Sequence, residues 1–289
     1  MPGGSDAAGG GAPAGAGGSV SQTAPDAGTA GAVSCGVLLA SSADAAHLEL
    51  PGAAMPDTPA VTPAVISTTP ALTLYYHPLA SFCHKVLIAL YENGTAFDKR
   101  IINVGEDADR AELTAMWPIC KFPVIRDHRR LRDIPETSVI IEYLDRHFPG
   151  PQAMIPADWD AALDVRLWDR FFDNYVQGPV QAIVNGHLTG MQCDRTKERT
   201  KLKTAYKMIE KRMASRAWMS GEHFSMADCA AAPALFYAAT LLPFPEEYTQ
   251  LQAYFERLVL RPSVRRVLDE AKPYFSMYPF VAGIPERFL

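Results

Sequence analysis

The sequence predicts a small α/β sandwich followed by an all-helical half, both behind an N-terminal segment with no globular pattern. Three observations predict this. Residues 1 to about 70 are rich in Gly, Ala, Pro, Ser and Thr and carry no sustained apolar period. From Leu72 onward, short β-rich runs and helical stripes follow one another in the order βαβ, α, ββα. Beyond Pro149-Gly150-Pro151 every apolar repeat has helical spacing.

The first segment cannot bury enough apolar surface to offset its ordering entropy, so residues 1–71 are expected to be a disordered tail. Order begins with the run Thr73-Leu74-Tyr75-Tyr76, ended by His77-Pro78. A helix follows, in which Cys83, Val86, Leu87 and Leu90 fall at i, i+3, i+4 and i+7, and Asn93-Gly94 stops it. Ser81 is suited to capping its start. A second strand is expected over 96–103 and a short helix over 107–116. A third strand is expected over 122–126, with a fourth pairing near 130–133. The helix expected over 136–147 shows Val139, Ile140, Tyr143 and Leu144 on one side. A crossover, a hairpin and a closing helix make a two-layer α/β unit.

In the second half, Trp168, Phe171, Phe172, Tyr175 and Val176 form one stripe, expected to break near Gly178-Pro179. Leu202, Tyr206, Ile209 and Met213 form another, on a helix whose charged residues interleave as a solvated face. Later helices are expected at about 225–240, 247–259 and 263–271. Ser225 with Asp228 three residues on reads as a capping box with a carboxylate in the Glu position. Phe224 and Cys229 flank it as a hydrophobic staple. The domains expected are 72–150 and 157–275, with 276–289 as a C-terminal extension.

Composition excludes several function classes. Formal net charge is −5, yet all 27 Lys and Arg lie beyond residue 84, where 27 of the 32 acidic residues balance them. A neutral body offers no general pull toward nucleic acid or an anionic membrane. No apolar run approaches the ~20 residues that span a bilayer. The five cysteines (Cys35, Cys83, Cys120, Cys193 and Cys229) form no CxxC or Cys/His cluster, so neither a zinc site nor a disulfide framework is expected. Reduced thiols in the cytoplasm are the expectation. His128, His147, His187 and His223 are scattered and suggest no metal.

Three short motifs carry the chemistry. Lys121-Phe122-Pro123-Val124 places a proline just before a strand, which by itself also fits the start of an edge strand. Pro135-Glu136-Thr137 opens a helix, where Asp133 and Glu136 also fit an ordinary capping box. The third, residues 77–86, runs from His77-Pro78 through Ala80, Ser81 and Cys83 to Lys85-Val86 and spans a helix start. Together with Trp218, Gly221, Phe224, Ser225 and Asp228, these motifs resemble the cytosolic glutathione S-transferases, in particular their bacterial serine/cysteine-type branch. The resemblance covers about 73–275 and implies a thioredoxin-like N-terminal domain and an all-α C-terminal domain.

The resemblance also implies roles. The peptide before Pro123 is expected to be cis, leaving the Phe122 backbone to pair with the cysteinyl unit of glutathione as an added strand would. Glu136 is expected to meet the γ-glutamyl ammonium, and Thr137 to offer hydroxyl and N–H to its carboxylate at the positive helix end. Lys121 can reach the glycyl carboxylate or stand free in solvent. The family activates the glutathione thiol, whose free pKa is near 8.5, with a side-chain donor at the first helix. A donor to the thiolate contributes ~1.5–3 kcal/mol, or about one to two pKa units; the helix dipole adds only ~0.3–1 kcal/mol.

The usual donor position falls here on Ala80, which has none, so Ser81 is the catalytic candidate. Cys83 lies on the apolar stripe and fits a core thiol better than a nucleophile. Tyr75 and Tyr76 fit strand packing better than a catalytic tyrosine. Tyr175 or Arg170 could face the electrophile, though aromatic residues at this spacing fit a core. The implied function is transfer of glutathione, as cosubstrate and without metal, to a hydrophobic electrophile by a homodimer. A glutathione-dependent isomerase of the maleylacetoacetate type and a non-catalytic glutathione-binding member are the alternatives, the latter favoured by Ala80.

Overall fold

A computed structural model of the chain describes residues 70–190 and 193–289. The expectation of a tail over 1–71 therefore falls almost wholly outside the described residues. The first layer is a four-stranded mixed sheet in the order β2-β1-β3-β4. Strand β1 (Leu72–Tyr76) pairs in parallel with β2 (Asp98–Ile101) and antiparallel with β3 (Val124–Asp127); β3 pairs antiparallel with β4 (Arg132–Pro135). Helices α1 (Ser81–Glu92), α2 (Asp107–Met116) and α3 (Thr137–His147) complete this half. The parallel β1–β2 pair requires the α1 crossover, and the β3–β4 hairpin follows it, which is the thioredoxin-like arrangement.

Helix α1 is the spine of the protein. Cys83, Val86, Leu87, Ile88 and Leu90 are all buried. It ends where Asn93-Gly94 predicts: Gly94 takes φ +64°. There the Thr95 N–H reaches the Leu90 carbonyl at 3.0 Å, and the Gly94 N–H reaches that of Tyr91 at 3.2 Å. This pair of bonds satisfies carbonyls the helix would otherwise leave open.

The second half is all helix: α4 (Trp159–Phe171), a π-helical turn (Phe172–Gln177), α5 (Gly178–Thr189), α6 (Arg195–Met213), α7 (Met226–Leu241), α8 (Thr249–Leu260) and α9 (Pro262–Ala271), then short 3-10 turns. Helix α1 packs against α7 and α9, so the halves share one core. Polar bonds fasten the same seam. Arg261 grips Glu92 with Nε and Nη2, each at 2.7 Å, and the Tyr237 hydroxyl donates to the Leu79 carbonyl at 2.9 Å. The expected capping box at Ser225 and Asp228 is present at the start of α7, and Phe224 and Cys229 are buried beside it. Among the described residues, no helix is long and apolar enough to cross a membrane.

Several expectations are corrected. The fourth strand pairs over Arg132–Pro135 rather than 130–133, because Leu131, at φ +50°, is still part of the turn. Asp133 is no helix cap; it lies in β4 and is held by Arg126 at 2.7 and 2.8 Å. The break expected near Gly178-Pro179 does not occur. The π-turn carries the helix through, and Pro179 falls in the first turn of α5, where a missing N–H is tolerated. One extra residue per π-turn also rotates the helical register. Trp168, Phe171, Phe172 and Val176 are buried as the stripe predicts, but Tyr175 is turned out and 58% exposed.

Candidate active site

The mouth of α1 is built by the loop after β1. The Ala80 N–H bonds to the His77 carbonyl and the Leu79 N–H to His77 Nδ1 (3.2 Å). Ala80, not Ser81, occupies the N-cap position, with extended φ and ψ. Alanine brings no capping oxygen, and Ser81 becomes the first helical residue. The Ser81 side chain is thereby released from the capping role that its sequence position suggests. It is buried, and its hydroxyl has no partner among the described residues.

The second wall comes from the β3 entry. The Phe122–Pro123 peptide is cis, as expected. Phe122 stands two residues before Val124, the first residue of β3 and the last paired with β1, so its backbone lies beyond the sheet's own pairing. The third wall is the start of α3. Glu136 sits at the N-cap in a conformation (φ 68°, ψ 117°) that side chains rarely adopt, and it makes no cap bond. Its carboxylate is free for another purpose. Thr137, the first residue of α3, is buried.

Lys121, Phe122, Pro123, Glu136 and Thr137 line one cavity of about 240 Å³. Helix α4 and the π-turn close it with Arg170, Asp173 and Asn174. Phe82, Lys121 and Phe122 also line a larger neighbouring cavity of about 780 Å³, and Ser81 lies on that wall. The five binding candidates therefore converge, and the catalytic candidate stands where the two cavities adjoin. Arg170 belongs to the smaller cavity, while Tyr175 lines neither. The larger cavity is walled by α5 through Val180, Val184 and Leu188, and by Met277 to Pro279, not by the 168–176 stretch.

Beneath the smaller cavity lies a charge cluster that sequence reasoning missed. Lys85 is 1% exposed. Its ammonium donates to Asp173 at 2.8 Å and to Ser138 at 3.0 Å, and it touches Asp169 at 2.6 Å in an ion contact off the hydrogen-bonding direction. Arg170 adds contacts to Asp169, Asp173 and Ser138, and the Ser138 hydroxyl donates to Asp169 at 2.6 Å. Two cations thus balance two carboxylates. Burial pushes the Asp173 carboxyl up, and the Lys85 charge opposes that rise.

His77 was also missed as a site residue. Its ring lines the larger cavity, stacked 6.2 Å from Phe122, and burial lowers its pKa. With Nδ1 accepting from Leu79, the neutral ring carries its proton on Nε2. Cys83, by contrast, is sealed in the core and its thiol is pushed up to about 12 by burial, so it is no nucleophile. Tyr75 and Tyr76 are buried in the sheet. Among the described residues no group of His, Cys, Asp and Glu could hold a metal ion.

Comparison with known proteins agrees with this architecture. Residues 74–152 match the family model of the glutathione S-transferase N-terminal domain, and residues 192–257 match that of the C-terminal domain. The chain belongs to the glutathione S-transferase family. A stringent starvation protein A homolog of Coxiella burnetii is 38% identical over 82 residues, 28% of this chain and 36% of that protein. Glutathione S-transferase 2 of Saccharomyces cerevisiae is 38% identical over 58 residues, 20% of this chain and 25% of that one. The chain thus matches between a quarter and about a third of the length of these curated relatives. Among solved structures, a Methylobacillus flagellatus glutathione S-transferase with glutathione bound superposes with a TM-score of 0.62 at 24% identity, covering 68% of this chain and 98% of that one. It shares the fold.

Proposed function

We propose that this family member is an active glutathione transferase that joins the glutathione thiolate to a hydrophobic electrophile. The observation that carries the proposal is the convergence of Lys121, Phe122, Pro123, Glu136 and Thr137 on one cavity that opens beside a larger, mostly apolar one. Glu136 takes the γ-glutamyl ammonium. Thr137, with the N–H groups at the α3 start, takes its carboxylate. The Phe122 backbone pairs with the cysteinyl unit, and Lys121 meets the glycyl carboxylate. The Ser81 hydroxyl donates to the sulfur, lowers the thiol pKa and holds the thiolate in line for attack.

The larger cavity favours transfer over the isomerase reading. A maleylacetoacetate-type substrate carries two carboxylates. Among the described residues lining that cavity the only Lys or Arg is Lys121, which stands at the glutathione end. The remaining assignments belong to the same proposal: the bacterial serine/cysteine-type branch, detoxification in the cytoplasm, and the domain bounds 72–150, 157–275 and 276–289. A homodimer is part of it too. It is supported by Trp159, Leu163 and Leu167, which lie at i, i+4 and i+8 on α4 and are all exposed, and sedimentation measures it.

Ser81→Ala tests the catalytic assignment. Loss of a hydrogen bond to a thiolate is worth ~1.5–3 kcal/mol, so kcat/KM for conjugation of 1-chloro-2,4-dinitrobenzene should fall about 10- to 100-fold. Unchanged turnover would clear Ser81 of the role.

A further inference from the structure

Resting on that reading and deepening it, we infer that the second substrate is a neutral electrophile bearing a hydroxyl group, and that Gln177 selects for it. The wall that α5 and the π-turn present to the 780 Å³ cavity has two rows. Val180, Val184 and Leu188 form an apolar one; Gln177, Gln181 and Asn185 form an amide one. Both follow the i, i+4, i+8 repeat of a single helix face.

The amide row is unequally satisfied. Gln181 Nε2 donates to Asn185 Oδ1 at 2.8 Å, so these two support each other. Gln177 is only 4% exposed; its Oε1 is sealed from solvent and has no partner, and its Nε2 is likewise unbonded among the described residues. Elsewhere on the cavity the tyrosine hydroxyls are already engaged, and Ser81 faces the sulfur. The Tyr237 hydroxyl is spent on the Leu79 carbonyl, and the Tyr278 hydroxyl shares a hydrogen with Thr240 at 2.8 Å. Gln177 is therefore the buried amide on the wall that is left unanswered. A buried polar group without a partner is rare and points to what the site is built to receive.

The missing partner must be small and uncharged. A carboxylate would meet an unbonded amide but no uncommitted cation: Lys85, in the seam beside Gln177, is spent on Asp169 and Asp173, Lys121 belongs to the glutathione cavity, and burial lowers the His77 pKa. A hydroxyl can accept from Nε2 or, with the amide turned over, donate to Oε1, so it satisfies the amide in either orientation. Gln177 and Ser81 both line the larger cavity, and the seam between them, shared with Lys85 and Asp173, is too tight for a water, so the hydroxyl meets Gln177 from the cavity, on the side of the reacting carbon. In the transfer, the thiolate sulfur forms a bond to that carbon as the leaving group departs with its bonding pair, and the thiol proton passes to solvent.

The test uses three probes: 3-(hydroxymethyl)benzyl chloride, 3-methylbenzyl chloride and 3-(chloromethyl)benzoate. Each kcat/KM is divided by the probe's uncatalysed rate with glutathione. The hydroxymethyl probe should exceed the methyl probe at least about fivefold, with the carboxylate slowest, and Gln177→Met should bring the first ratio close to one. A ratio near one in the unaltered protein, or a ratio that Gln177→Met leaves in place, would overturn the inference. Should that variant fail to fold, S-(3-hydroxymethylbenzyl)glutathione and S-(3-methylbenzyl)glutathione are titrated into the unaltered protein by calorimetry. Tighter binding of the first is expected, and equal affinities overturn the selection by Gln177. Glutathione alone is titrated alongside. If it binds while the conjugates do not differ, only this inference falls. If it does not bind, the transferase reading falls and takes the inference with it.

Discussion

Lys85→Ala should destabilise the protein by about 3–5 kcal/mol, because it strands two buried carboxylates. Asp169 and Asp173 would keep only Arg170 as a cation, which is itself half-exposed and cannot follow them into the core. Lys85→Met keeps the aliphatic volume and removes only the charge, so a similar loss in that variant separates electrostatics from packing. The pH dependence has a definite sign. Burial already raises the Asp173 pKa, and Lys85 is the leading influence against that rise. Without Lys85 the folded-state value rises further above the unfolded one. A raised carboxyl favours the folded state below the unfolded pKa, and that contribution is lost as pH climbs through the folded value. The gap between Lys85→Met and the unaltered protein, read from urea midpoints, should therefore be smaller at pH 5 than at pH 8. A gap that widens on acidification would contradict the account. The same loss should reach the smaller cavity, since Arg170 and Asp173 form one of its walls.

Asp228→Ala should have an effect of similar size, from a different cause. Asp228 is fully buried. Its Oδ1 accepts the Met219 N–H at 2.9 Å and the Tyr254 hydroxyl at 2.6 Å; its Oδ2 accepts the Ser225 N–H at 2.9 Å and the Ser225 hydroxyl at 3.0 Å. Removing the carboxylate orphans several buried donors at once, each costing ~1–3 kcal/mol. A total of about 4 kcal/mol or more is a large share of the ~5–15 kcal/mol that holds a typical domain together. Ser225→Ala is the control. It keeps Asp228 and the Ser225 N–H bond, and should cost only about 1 kcal/mol. Thermal or urea unfolding of the pair should show this ordering, and equal losses would refute the central place given to Asp228.

Much of this was legible in the chain because the signals were local. The Asn93-Gly94 stop, the Ser225–Asp228 box and the apolar stripe of α1 all depend on residues within a turn or two of one another. The cavity residues Lys121 to Pro123 and Glu136 to Thr137 were found through motifs, not periodicity, since a free N-cap carboxylate reads like an ordinary capping box. What escaped was non-local. Lys85 stands in an apolar helix and so had to have a buried partner, but Asp169 and Asp173 lie more than eighty residues later. The π-turn leaves no periodic mark before Gly178-Pro179, and its register shift is why Tyr175 was placed on the wrong face. Gln177, Gln181 and Asn185 do fall at a readable spacing. Their meaning depends on which face of α5 meets the cavity, and packing against α6 and α7 decides that.

The central claim is that the two adjoining cavities hold glutathione with its sulfur at the mouth of α1, beside Ser81. The most direct test is to titrate the thiol of bound glutathione by its ultraviolet thiolate absorbance. The account predicts a pKa about one to two units below the free value near 8.5. A bound thiol that still titrates near 8.5 would contradict it.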